Sequence, residues 1–443
     1  NGREKERGIF LRMGFPISDR ELLRLTTAGS VDDGKSTLMG RLLHDCSKVY
    51  EDQLEAARQT SLRKGNSEVD LSLLMDGLSS EREQGITIDV AYRYFTTPKR
   101  RFIIADVPGH EQYTRNMVTG ASNAHLAVIL IDITKGFLFQ AKRHLVIATL
   151  LQTPHLLIAM NKMDLIGYDE GVYEKIKGEI SQFVSKLGVR DLQFIPMSSL
   201  KGDMVVKRHD QMDWYGGYTL LHYLENLHIS SDRNLIDFRF PVQLVIRPDA
   251  SFRGYAGRIE GGVIHLGDDI VSLPSGKKSK IRSILTPEGE KTYAFTPQSV
   301  TLVLEDEIDA SRGDMFVRPE NIPDISHEFQ AAVFWMSESP FVEKKSYLIK
   351  QGTKITRGYA SELRYRIDIG DLHRKEAKEL ACNEVGRTFI KTHEPLMFDP
   401  YAKNRNTGCF IFIDELTYET AGVGIIWHRF AKSDHLQYQE FKS

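Results

Sequence analysis

One run of residues constrains this chain more than any other: Gly29-Ser-Val-Asp-Asp-Gly34-Lys35-Ser36, which fits the pattern GxxxxGK[ST]. It follows the strand-like Leu25-Thr-Thr-Ala28 and opens the helix-like Thr37–His44, the strand–loop–helix context that the pattern requires. Glycines let the backbone curl until successive N–H groups point at phosphate oxygens, and the helix N-terminus adds its own positive end. Lys35 is expected to neutralise the β- and γ-phosphates of a nucleotide, with the Ser36 hydroxyl on Mg2+. Gly29, Asp32, Asp33, Gly34, Lys35, Ser36 and Thr37 make up the expected phosphate-binding set.

Such a loop belongs on a parallel sheet, and the surrounding residues supply one. Arg101-Phe-Ile-Ile-Ala105, Leu126-Ala-Val-Ile-Leu-Ile131 and His155-Leu-Leu-Ile-Ala-Met160 are continuous apolar runs, the signature of strands covered on both faces. Glu51–Ala57, Ala141–Leu151 and Val172–Leu187 carry helical spacing between and after them. This βαβ texture predicts an α/β domain over residues 21–230, preceded by an arm over 1–20.

Past Arg239 the texture changes to short strands and glycine turns. Pro241–Ile246, Arg258–Ile264, Asp269–Leu273 and Ser299–Leu304 predict an antiparallel barrel over residues 238–325. Ala331–Trp335, Glu362–Arg366, Phe410–Ile413 and Gly422–Ile426 predict a second over 328–443. Polar, proline-containing Arg318–His327 marks the boundary between them. A chain of 443 residues is too long for one core, so this division is also what size requires.

The base is chosen elsewhere. Asn161-Lys162-Met163-Asp164 directly follows the apolar run ending at Met160. The Asp164 carboxylate can accept from guanine N1–H and N2–H2 together, a donor pair that adenine lacks. Asn161 is expected on the base edge, the Lys162 stem across its face, and the loop Ser198-Ser199-Leu200 around guanine O6. The ligand read from these residues is therefore GTP.

Asp106-Val107-Pro108-Gly109-His110 ends another apolar run. Asp106 can hold Mg2+ through water, and the Gly109 N–H can meet the γ-phosphate and sense its loss. His110 is the candidate for orienting the attacking water. Thr87, within Arg82-Glu-Gln-Gly-Ile-Thr-Ile-Asp89, is the expected remaining metal ligand, and Val31 and Ile86 are candidate apolar gates beside His110.

Composition narrows the class. Lys and Arg number 58 against 60 Asp and Glu, a net charge of −2, which argues against nucleic acid as the main ligand. Cys46, Cys382 and Cys409 show no CxxC spacing, so neither a disulfide framework nor a zinc site is expected. Asn1–Phe15 lacks a signal-peptide core and no apolar run approaches a membrane span. A soluble, cytoplasmic protein away from membranes is expected.

Taken in order, these motifs resemble the translation-factor branch of GTPases. Across nearly the whole chain the sequence is more similar to the large, GTPase subunit of bacterial ATP sulfurylase (sulfate adenylyltransferase). Asp76–Phe95, Gly109-His-Glu-Gln-Tyr-Thr-Arg-Asn-Met117, Phe252–Gly257, Leu273–Lys277, Phe398–Tyr401 and Asn404–Gly408 carry that resemblance. Val107 stands where Thr is usual and Ser199 where Ala is usual. The resemblance implies an elongation-factor-like architecture and a separate small adenylyltransferase subunit that makes adenylyl sulfate and pyrophosphate from ATP and sulfate. It also implies that GTP hydrolysis here is coupled to that uphill step. Some family members carry a fused adenylylsulfate kinase; these residues contain no second GxxxxGK[ST]. The competing expectation is an elongation factor that carries aminoacyl-tRNA, which shares the three-domain plan.

Overall fold

The computed structural model describes residues 21–46, 55, 58, 59, 61, 71, 90–110, 114–189, 191–229, 233–249 and 251–429. Thr87, Ile86, the arm over 1–20 and most of the expected helix Glu51–Ala57 lie outside the described residues. The chain divides into two compact units, Asn1–Ile229 and Ser230–Ser443.

In the first unit, β1 (Leu22–Ala28), β2 (Ala91–Thr96), β3 (Arg101–Asp106), β4 (Leu126–Asp132), β5 (His155–Asn161) and β6 (Leu192–Pro196) form one sheet in the order β2-β3-β1-β4-β5-β6. All neighbours are parallel except β2, which runs antiparallel along β3 at the edge. Every residue of β4 is buried, as expected where helices cover both sheet faces. The edge strand β2 instead exposes Tyr92 and Tyr94.

Helices among the described residues include α1 (Lys35–Cys46), α2 (Thr114–Ser122), α3 (Phe139–Leu150), α4 (Glu170–Ser185) and α5 (Leu220–Asn226). Helix α4 begins where the Asp169 side chain accepts from Val172 N at 2.8 Å, satisfying a backbone donor that the first turn leaves open. It buries Tyr173, Ile176, Ile180, Phe183 and Val184, one stripe at helical spacing. No helix among the described residues is long and apolar enough to cross a membrane.

The described residues of the second unit form strands and the turns between them. Its first part holds β7 (Arg239–Ile246), β8 (Gly254–Arg258), β9 (Val263–His265), β10 (Asp269–Leu273), β11 (Lys277–Thr286), β12 (Gly289–Lys291), β13 (Tyr293–Phe295), β14 (Ser299–Leu304) and β15 (Met315–Val317). The sheet runs β10-β15-β7-β8-β14-β11-β12, and β10 also pairs with β11, so the strands close on themselves. Closure removes the open edges that invite aggregation. Phe238, Phe240, Tyr255, Ile281 and Phe316 fill the interior.

One expected strand is not continuous. Arg258–Ile264 is broken between β8 and β9 at Gly261-Gly262. Gly262 has a φ of 77°, and a Cβ there would lie 2.5 Å from Phe238 Cα, so only glycine fits the turn.

The second part holds β16 (Asp324–Trp335), β17 (Phe341–Val342), β18 (Ser346–Gln351), β19 (Lys354–Ile367), β20 (Arg374–Lys375), β21 (Glu379–Leu380), β22 (Val385–Phe398), β23 (Cys409–Ile413) and β24 (Thr420–Arg429). Its order is β18-β23-β24-β16-β22-β19-β20, closed by β18 on β19. The core is aromatic: Phe329, Trp335, Phe341, Tyr347, Phe398, Phe410 and Phe412. A smaller cluster joins Val271, Leu273, Met315 and Val317 of the first barrel to Met397 of the second. The fold is thus an α/β domain with a mostly parallel sheet, followed by two antiparallel β-barrels.

Candidate nucleotide-binding site

The predicted residues that the structure describes lie after the C-terminal ends of β1, β3, β5 and β6, the side on which parallel α/β sheets bind ligands. β1 ends at Ala28, and the loop that follows places Asp32 and Gly34 at positive φ, 66° and 94°. A Cβ on Gly34 would lie 2.3 Å from Asn161 Nδ2. A Cβ on Gly109 would lie 2.4 Å from Lys35 Nζ and 2.5 Å from Gly29 O. Gly34 therefore admits the Asn161 amide against the loop, and Gly109 admits Lys35 and the Gly29 carbonyl.

That lysine is buried, at 8% exposure. Its Nζ donates to Gly29 O and Ser30 O, each at 2.8 Å, and forms no ion pair among the described residues. Burial pushes its pKa down, against the pull of Asp106, Asp33 and Asp32. Asp33 is buried too; its Oδ2 accepts from Ser30 N at 2.5 Å and ties the loop to itself. Burial raises its pKa, against the Ser30 bond and the Lys35 charge. A cation held by neutral carbonyls in a glycine cradle is a site electrostatically suited to polyanionic phosphate.

Ser36 and Thr37 begin α1 and are half-buried, and Val31 is half-buried in the loop. Asp106, at the end of β3, is 2% exposed and accepts from Thr27 Oγ1 at 3.0 Å. Val107 is fully buried; a Cβ on Gly120 of α2 would lie 2.5 Å from its Cγ1, so the two pack closely only because Gly120 has no side chain. The Gly109 carbonyl accepts from Gln140 Nε2 at 3.5 Å, and His110 beside it is exposed.

Asn161 does more than the sequence suggested. Its Nδ2 donates to Asp33 O at 2.7 Å, while its Oδ1 accepts from both Ser199 N at 2.8 Å and Ser199 Oγ at 2.9 Å. The side chain spans from the phosphate loop to the Ser198–Leu200 loop. Lys162, at a φ of 66°, donates to Asp132 Oδ2 at 2.8 Å. Asp164 is half-buried, and its carboxylate has no hydrogen-bond partner among the described residues. Ser198 and Ser199 are buried while Leu200 is exposed; Arg41 of α1 donates to Ser199 O at 3.4 Å and to Leu200 O, holding that loop.

Two residues escaped the sequence reading. Asp132 closes β4 with 2% exposure and accepts from Lys162, Thr134 N and Thr134 Oγ1. Burial pushes its carboxyl up, but these bonds together hold it below the usual range. Its place directly after the apolar run Leu126–Ile131 was the available signal. His144, on α3, is fully buried, with Nδ1 2.8 Å from Met117 Sδ of α2. Burial, helped by the charges of Lys35 and Arg143, lowers its pKa to about 3. Nothing in its own sequence neighbourhood announces that.

The family described as elongation factor Tu GTP binding domain matches residues 20–230, and that described as GTP-eEF1A C-terminal domain-like matches residues 328–427. Sulfate adenylyltransferase subunit 1 of Bacteroides fragilis is 51% identical over 417 residues, covering 94% of this chain and 88% of that protein. Its counterpart in Alteromonas mediterranea is 51% identical over 409 residues, covering 92% and 87%. The bifunctional enzyme CysN/CysC of Rhodopirellula baltica is 50% identical over 420 residues, covering 94% of this chain and 65% of that one. With its elongation-factor-type GTP-binding domain and two β-barrels, the chain belongs to the sulfate adenylyltransferase subunit 1 family of GTPases.

Proposed function

We propose that this chain is the GTP-hydrolysing subunit of a hetero-oligomeric sulfate adenylyltransferase. Its hydrolysis is coupled to formation of adenylyl sulfate and pyrophosphate from ATP and sulfate on a separate small subunit. The observation that carries the reading is the convergence of Lys35, Asp106 and Asn161-Lys162-Met163-Asp164 on the same end of one sheet, after β1, its neighbour β3, and β5 on the far side of β4.

The residues divide the work. The backbone from Gly29 to Gly34 and the Lys35 ammonium hold the β- and γ-phosphates, with Ser36 and Thr37 at the helix N-terminus. Asp164 reads the guanine edge, and the Lys162 stem, anchored on Asp132, lies along the ring. Asn161 supports that subsite by holding the Ser198–Leu200 loop, so its amide contributes position rather than base contact.

When bound at this site, Mg2+ would supply positive charge against the negative charge that develops as the γ-phosphoryl group leaves. Ser36 and Asp106 are the described residues suited to hold it; Thr87 is the third proposed ligand. The donor set fits, since hydroxyl and carboxylate oxygens are what a hard cation takes. Water attacks the γ-phosphorus, its bond to the bridging oxygen breaks, and His110 orients the water. Gly109 N–H faces the γ-phosphate, so its loss releases the segment that follows.

Coupling requires that the GTP and GDP states bind the partner subunit or its intermediates with different affinity. The test is GTP turnover by the purified complex with and without ATP and sulfate. Turnover that rises only when both are present supports the reading. A rate indifferent to them removes the coupling, and co-purification with charged tRNA instead of a small subunit replaces the reading by the elongation-factor one.

A further inference from the structure

One face of the second barrel stacks three guanidinium groups on aromatic rings. Arg387 of β22 lies 3.3 Å from the Trp427 ring centroid on β24. Arg364 of β19 stands 5.2 Å over Phe389, and Arg374 of β20 stands 4.9 Å over Tyr365. The register explains the grouping. Arg387 pairs with Ala332 of β16 on one side and Tyr365 of β19 on the other. Arg387 and Phe389 are two apart on one strand and so share a face. Trp427 falls at the irregularity where β24 passes Gln330 and Ala331.

Arg387 is 4% exposed, and its Nη2 donates to Gln330 Oε1 at 2.8 Å. Its Nη1 is buried with no hydrogen-bond partner, and no carboxylate among the described residues pairs with it. Two acids of this region are engaged elsewhere, Glu384 by Arg366 and Asp368 by Lys375. Burial, opposed by Tyr365 and reinforced by Arg364 and Arg374, lowers its pKa to about 9, which leaves it charged at neutral pH. The other deeply buried arginine of the same unit, Arg239 at 0% exposure, has a carboxylate, Asp399, on two of its nitrogens. A buried cation with hydrogen-bonding capacity unmet is costly, and folded chains keep such a group where something else completes it.

We propose that the face formed by Arg364, Arg374 and Trp427, whose ring is held from beneath by the Arg387 guanidinium, is the docking surface for an acidic segment of the partner subunit. This rests on the partner assigned under the proposed function. Charge decides the occupant: the face offers guanidinium groups and a Trp ring 50% exposed, the residue types that dominate binding hot spots. The chain as a whole carries a net charge of −2, without the basic excess that binding to a nucleic-acid backbone requires.

The test uses the full chain and the purified small subunit, with complex affinity measured by calorimetry at two salt concentrations. Trp427→Ala and Arg374→Glu change exposed groups; Arg387→Gln removes the buried charge. GTP affinity and melting temperature of each variant report whether it folds. We expect each to bind the small subunit about 10- to 100-fold more weakly while holding GTP as the parent does. Affinity of the parent complex should also fall with salt more steeply than that of Arg374→Glu. If the parent chain binds no small subunit at all, the functional reading fails, not merely the docking face. If the parent binds and all variants bind equally well, the face is not the interface. If the variants instead lose affinity for an RNA oligonucleotide, the occupant is wrong and the proposal is overturned.

Discussion

Asn161 and Asp33 lie 128 positions apart in sequence, yet the Asn161 amide donates to the Asp33 carbonyl at 2.7 Å. Its other end accepts twice from Ser199. One side chain thus fixes the spacing between the Gly29–Gly34 loop and the Ser198–Leu200 loop, the proposed phosphate and base subsites. Asn161→Ala strands the Asp33 carbonyl and the Ser199 donors in a buried site, at about 1–3 kcal/mol for each unpaired group. Calorimetry should show a lower melting temperature together with GTP binding weakened by tenfold or more. Normal affinity in a destabilised variant would mean that the loops keep their spacing without it.

Asp164 differs from Asn161 in having its side chain uncommitted among the described residues. Asp164→Asn exchanges two acceptors for one acceptor and one donor. The pair of bonds to guanine is lost, at about 1.5–3 kcal/mol for each bond to a charged group, and xanthine, whose O2 accepts, becomes the better match. Competition binding with GTP and XTP checks this. A variant that still prefers GTP over XTP removes Asp164 from base recognition.

Arg239 of the first barrel is fully buried and grips Asp399 of the second with Nε at 2.7 Å and Nη2 at 2.9 Å. Asp399→Ala leaves a buried guanidinium without its anion, a loss of about 3–5 kcal/mol. Replacing both partners, Arg239→Met with Asp399→Leu, should restore much of it, because no buried charge remains. Urea unfolding of the full chain measures both. If the double variant is no more stable than the single one, the pair is not a matter of uncompensated charge.

His144 predicts an acid-sensitive first unit. Its pKa is about 3 when folded, under burial and the charges of Lys35 and Arg143, and about 6.5 when unfolded. Between these values the unfolded chain binds more protons, so stability falls as pH falls through that window, by up to about 1.4 kcal/mol per pH unit. Above about pH 6.5 both states are neutral and the contribution is complete. His144→Met should flatten the decline of unfolding free energy between pH 6 and 4, roughly the middle of the window. A parallel decline in both proteins would assign the acid sensitivity to other groups.

How much of this was legible in advance follows from where the chemistry is written. The phosphate loop, Asp106 and Asn161–Asp164 could be read because each lies beside an apolar run that announces a strand end, and each needs particular side chains at fixed offsets. Contacts between strands carry no such local mark. Asp132 and Lys162 are 30 positions apart, brought together only because β4 and β5 lie side by side. Arg239 and Asp399 are separated by 160 positions across two barrels. The break at Gly261-Gly262 was hidden because apolar residues continue on either side of it. The links from Asn161 to Asp33 and Ser199 were hidden as the contacts between strands were, since they join loops 128 and 38 positions away.

The sharpest separation of roles concerns His110. It is exposed beside Gly109, whose Cα sits against Lys35 and Gly29 with no room for a Cβ. On the proposed function, a side chain there acts on water near the γ-phosphate without holding the nucleotide itself. His110→Ala should therefore lower single-turnover hydrolysis by about 100-fold or more, the scale of a lost proton-handling or water-orienting group. GTP affinity should stay within about threefold, since the phosphate grip comes from the loop amides and Lys35. His110→Gln keeps a hydrogen-bonding group and should recover part of the rate. Rapid-quench hydrolysis and fluorescent-nucleotide binding, run on the same preparations, separate the two quantities. Equal losses in rate and affinity would make His110 a structural residue of the loop and return the water-orienting role to another group.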